Sequence, residues 1–134
     1  MAVLTQDMQE FVDANLCWVA TQSLDGVLGL GPKMSMYVLD ETHLAYHERT
    51  AGQTYRNLED GSPLVVACAN LAEKTGYRFR GNVTLHTDDE LYKEQVAVAE
   101  ANGTKVPACI VVLEVTAIED LTGGAKAGTT IAKD

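Results

Sequence analysis

The chain has 134 residues, 46% of them apolar, which suits one domain with its own core and is too apolar for a disordered segment. Its net charge of −9 repels phosphate backbones, and no Lys/Arg cluster offsets it, so nucleic acid is not an expected partner. No apolar run reaches membrane length and no charged-then-apolar leader opens the chain, so neither a membrane span nor an export signal is expected.

The elements follow in chain order. Met8, Phe11, Val12 and Leu16 form one apolar stripe, which predicts a helix over 5–16 with Thr5 as its cap. A strand follows at 16–22, then a hairpin turn marked by Asp25-Gly26. Residues 27–39 predict one bent or broken strand, because Gly29, Gly31 and Pro32 disturb a ladder. Residues 43–48 are a short strand. Thr50 and Gln53 match a capping box that would start a helix running to the stop at Gly61-Ser62-Pro63. Residues 64–70 are a buried strand, and 77–86 alternate strictly, with Tyr77, Phe79, Val83 and Leu85 on one face. Thr87 to Glu90 matches a second capping box, opening a helix that stops at Asn102-Gly103. Residues 107–118 are the last long strand, and the Gly/Thr-rich tail from about 119 reads as irregular. Six strands joined mostly by short turns, with helices at 5–16, 50–60 and 88–102, predict a mainly β, α+β single domain over 1–134: an antiparallel, closed or nearly closed barrel with flanking helices.

Cys17, Cys68 and Cys109 sit in apolar runs without metal-type spacing, so buried thiols in a reducing, cytoplasmic compartment are expected. His43 and His47 share a strand face near Glu41, but no further ligand of suitable spacing joins them and no metal site is expected. Asp88 to Glu90 complement a helix dipole, and Arg78 and Arg80 are expected to be solvated or salt-bridged.

The polar stretch "HERTAGQTYRNLEDG", His47 to Gly61, interrupts the core strands. Taken locally it is either a capped connecting helix or a phosphate seat made by Arg49, Thr50, Thr54 and the backbone at Gly52. "GPKMSMY", Gly31 to Tyr37, brings Lys33 and Ser35. If 33–39 pairs with 43–48, both segments end at one edge of the sheet.

Val19-Ala20-Thr21, Asp25-Gly26, Pro32 to Ser35, His47-Glu48, Ala51 to Thr54, Asn57-Leu58 and Pro63, in this order, resemble the FMN-binding split-barrel family of pyridoxamine 5'-phosphate oxidase-like small flavoproteins. The resemblance implies a split barrel that forms a homodimer with FMN at the interface. It implies that Pro32, Lys33, Met34 and Ser35 run along the isoalloxazine. It sets His47, Glu48 and Arg49 by the ring or ribityl chain, and Gln53 and Thr54, with Thr50, at the phosphate end. The implied activity is flavin-dependent oxidoreduction of a small molecule. A non-catalytic electron carrier or flavin store is the alternative, and a haem-binding relative a lesser one. The chain departs from the family at Gln53, where a lysine is frequent, and in a tail that lacks the oxidase's pyridoxal-phosphate-holding arginine and histidine. Pyridoxine phosphate oxidation is therefore not expected. No side chain stands out as a catalytic acid, base or nucleophile.

Overall fold

In the computed structural model, which describes residues 1–134, Thr5 Oγ1 accepts from Met8 N at 3.2 Å and starts helix α1 (Gln6–Ala14), whose Met8 and Val12 enter the core. Strands β1 (Cys17–Gln22) and β2 (Leu28–Lys33) form the Asp25-Gly26 hairpin, with Gly26 at φ +86°. The predicted strand over 27–39 is broken in two. Met36 N donates to Lys33 O at 3.2 Å, a turn that ends β2, and β3 (Tyr37–Asp40) starts again to pair with β4 (His43–Glu48). Helix α2 (Gln53–Glu59) leads to β5 (Leu64–Asn70) and the long β6 (Thr75–His86). Helix α3 (Glu90–Ala101) precedes β7 (Cys109–Asp120).

The tail corrects the sequence reading. Thr130–Lys133 forms β8 on β7, because β4 covers β7 only from Cys109 to Glu114 and leaves Ala117 to Glu119 with open ladder groups. Together with the break in 27–39, this gives the sheet eight strands where six were expected. Both capping boxes are also corrected. Gly52 is the N-cap of α2, without a side-chain bond, and Asp89, not Thr87, caps α3 by accepting from Tyr92 N at 3.0 Å.

All pairings are antiparallel, in the order β2-β1-β5-β6-β7-β4-β3. The two ends of this path, β2 and β3, are separated in sequence only by residues 34–36. Such a link spans on the order of 10–14 Å. The sheet must curl until its ends nearly meet, and they do not pair, so the barrel is split. Its interior is filled by alternate residues of each strand, among them Val19, Tyr46, Val66, Phe79, Val111 and Leu113. In β7 the inward set shifts from Val115 to Ile118, because Thr116 is an extra residue opposite the Arg80/Gly81 step of β6.

Candidate functional site

The open side of the barrel is laced by side chains. In the β1–β2 register Lys33 lies opposite Cys17, so both point inward. Lys33 Nζ reaches Glu48 Oε1 at 3.2 Å and stands 5.2 Å from the centre of the Tyr46 ring. Ser35 Oγ donates to His47 O at 3.2 Å and accepts from His47 N at 3.0 Å, standing in for a ladder partner. The pairing expected between 33–39 and 43–48 starts only at Tyr37, and Lys33 belongs to β2 and not to the β3–β4 hairpin, so it reaches Glu48 across the split.

Glu48 is fully buried and acts on both sides. Its Oε1 takes Lys33, while Oε2 accepts from Thr50 N (3.2 Å), Thr50 Oγ1 (3.2 Å) and Ala51 N (3.1 Å). These bonds fix the turn after β4, where Ala51 is held at φ 49°. The Thr50 hydroxyl is therefore committed to a carboxylate and does not cap α2.

Beside this lacing lies an open cleft of about 210 Å³ lined by Pro32, Lys33, Met34, Ser35, His47, Arg49 and Thr50. These are seven of the ten residues singled out in the sequence, while Glu48 lies buried beneath them. His47 is 7% exposed, with Nε2 held 2.9 Å from Gln95 Oε1 of α3 and Nδ1 buried without a partner. Tyr37 meets this ring edge-on at 6.1 Å, and burial pushes its phenol up to about 12. Arg49 forms no ion pair, and its Nε is buried with no hydrogen-bond partner. An unpaired guanidinium at a cleft is the one strong anion donor here.

Gln53 and Thr54 do not line this cleft. Gln53 faces a second pocket between α2 and the β1–β2 turn, and its amide donates to Asn57 Oδ1 at 2.6 Å. Asn57 in turn donates to Thr21 Oγ1 at 3.1 Å, tying α2 to β1. Sequence reasoning missed Gln95 and Tyr37, which come from α3 and β3. Their only signal was a polar residue on the helix and a tyrosine on a short strand, and neither shows its target. Outside the cleft, His43 Nδ1 lies 2.8 Å from Asp40, and Arg78 and Arg80 share Glu119 Oε1. No three His, Cys, Asp or Glu side chains gather as a metal site.

Residues 4–121 match the family described as pyridoxamine 5'-phosphate oxidase. The chain belongs to that family. HupZ of Group A Streptococcus is 33% identical, with a TM-score of 0.85, over 93% of this chain and 99% of HupZ. A candidate pyridoxamine 5'-phosphate oxidase of Lactobacillus delbrueckii is 32% identical, with a TM-score of 0.77, over 87% of this chain and 93% of that one. An FMN-binding protein of Syntrophomonas wolfei shares the fold at 15% identity and a TM-score of 0.65, over 87% of this chain and 85% of its own. The open eight-stranded sheet with three helices is the split barrel of this pyridoxamine 5'-phosphate oxidase-like family.

Proposed function

We propose that the cleft at the barrel split binds FMN and that two copies of the chain complete the site. The observation that carries this reading is Arg49, a cation without a carboxylate whose buried Nε lacks a partner. Arg49 would meet the phosphate, in place of the lysine that the family often has where Gln53 stands. The backbone of 32–35 would run along the ring, with His47 held still by Gln95. The orphaned donors fit an anionic, ring-bearing group.

One chain supplies only part of the enclosure, since ligand pockets commonly enclose roughly 300–1,000 Å³. The outer face of the β1–β2 hairpin supports a second copy. Leu28, Leu30 and Pro32 lie along β2, with Trp18 opposite Pro32 and Ala20 opposite Leu30. Leu28 and Leu30 are 77% and 73% exposed. This apolar strip runs into the cleft at Pro32, where Met34 is also exposed. Soluble single chains rarely leave such a contiguous patch uncovered.

Bound FMN supplies one- and two-electron redox chemistry. The chain's part is to bind it, orient it and exclude water. The only carboxylate at the site, Glu48, is committed to Lys33, Thr50 and Ala51, which leaves the unpartnered Nδ1 of His47 as the one acid–base group of the cleft lining. That fits direct electron or hydride exchange with a small molecule, and it equally fits a flavin carrier. The three unpaired thiols suit a reducing, cytoplasmic setting. No helix is long and apolar enough to cross a membrane.

The test is titration of the purified protein with FMN, followed by flavin fluorescence quenching, then steady-state NAD(P)H oxidation with an added acceptor. Saturable quenching that Arg49→Ala weakens is expected. Absence of quenching would overturn the FMN assignment. Stoichiometric reduction without turnover would assign the carrier role.

A further inference from the structure

The β1–β5 register sets Cys17 directly opposite Cys68. Both point into the barrel interior, at 1% and 2% exposure, and neither is in a disulfide. Opposed residues of an antiparallel pair have Cα atoms about 4.5 or 5.5 Å apart. A disulfide takes Cα separations of roughly 4.4–6.8 Å, so the backbone spacing of either kind of pair falls within the range of a bridge.

We propose that Cys17 and Cys68 are a redox-active dithiol that closes to a cross-strand disulfide when the protein meets a peroxide. Hydrogen peroxide is the oxidant. The Cys17 thiolate attacks one peroxide oxygen, the O–O bond breaks, and the leaving hydroxide takes a proton to become water. The Cys68 sulfur then attacks the resulting Cys17 sulfenic acid, the S–O bond breaks, and a second water leaves. Two thiols lose two electrons and two protons, and one peroxide becomes two waters.

Two observations support the pair over two thiols that merely fill space. The two sulfurs are unequal: the neighbouring Cys68 thiol draws Cys17 below the ordinary thiol range, while Cys17 and burial push Cys68 above it, so one sulfur is primed to attack and the other to resolve. Finally, Cys17 opens its strand under the end of α1, where Phe11, Ala14, Asn15, Asn70, Thr75 and Tyr77 line a cleft of about 460 Å³. Cys17 Sγ lies 3.8 Å from the carbonyl oxygen of Asn15, so the path from the cleft to the sulfur runs past the end of α1. Cys109 is the internal control, since Glu48, not a thiol, lies opposite it.

The experiment treats the purified protein with a small excess of hydrogen peroxide, then alkylates it under denaturing conditions and maps the peptides without reductant. Alkylatable thiols are expected to fall from three to one. A Cys17–Cys68 linked peptide should appear two hydrogens lighter than its parts, and dithiothreitol should restore all three thiols. Cys68→Ser should then stop at oxidised Cys17 with no linked peptide. The proposal is overturned if all three thiols stay alkylatable while methionines oxidise, if Cys109 is lost first, or if the only disulfide formed joins two chains. The wild-type mapping decides the matter even if Cys68→Ser does not fold.

Discussion

Lys33 Nζ and Glu48 Oε1, from strands that share no ladder hydrogen bond, meet at 3.2 Å inside the barrel, where Glu48 is fully buried and the Lys33 side chain is 17% exposed. Removing one partner of such a pair strands the other charge, at a cost of about 3–5 kcal/mol. Lys33→Met should lower stability by about 3 kcal/mol, near the low end because Lys33 keeps some solvent. Adding Glu48→Gln should recover part of the loss. Urea denaturation at unchanged slope measures both. Equal stability of Lys33→Met and wild type would show that the pair does not hold the split closed.

Arg49→Ala should weaken FMN binding by about 1.5–3 kcal/mol, the size of a hydrogen bond to a charged group, or roughly ten- to a hundred-fold in Kd. Gln53→Ala should change affinity much less, because Gln53 faces the other pocket. Fluorescence titration of both variants gives the comparison. The reverse ranking would move the phosphate end to α2.

Leu30→Glu places a charge in the middle of the exposed apolar strip of β2. Light scattering should show the mass fall from two chains to one, with FMN affinity falling alongside it. A dimer that survives the substitution would put the interface on another face.

Gly81 has no room for a side chain. A Cβ there would stand 1.8 Å from Glu114 O, at the bulge where β6 meets the extra residue of β7. Gly81→Ala should therefore cost at least about 3 kcal/mol, since a fixed backbone must move. Gly31→Ala, where a Cβ meets nothing within 4 Å, is the matched control. Thermal unfolding of the two distinguishes them.

The Arg78 guanidinium, followed by that of Arg80, holds the Glu119 carboxyl below its ordinary value of 4.5. A carboxyl lowered in the folded state stabilises the fold above its unfolded value, and that contribution is lost as pH falls through the folded value. Glu119→Gln should therefore be less stable than wild type at neutral pH, with the difference shrinking as the pH drops below 4.5. Denaturation midpoints across that window test the sign.

Much of this was legible in local chemistry. The Thr5 cap, the Asp25-Gly26 hairpin and the alternation of 77–86 each follow from short-range rules, and the structure follows them. The break in 27–39 was written in Gly29, Gly31 and Pro32. Its consequence was not: nothing local reveals that the two halves lie at opposite ends of the sheet. The Thr50 capping box misled because a buried carboxylate, Glu48, competes for the same hydroxyl and turn N–H groups. Burial is set by the whole fold, so no pattern of four residues could have shown it. Strand β8 was hidden for the same reason, since it exists only because β7 outruns β4.

The near meeting of β2 and β3 also bears on solubility. An open sheet normally presents two edges that can recruit strands from other molecules. Here the terminal strands turn toward each other across a three-residue link, and Ser35 occupies the His47 backbone groups that face the gap. The split that makes room for the cleft thus also leaves little free edge from which aggregation could start.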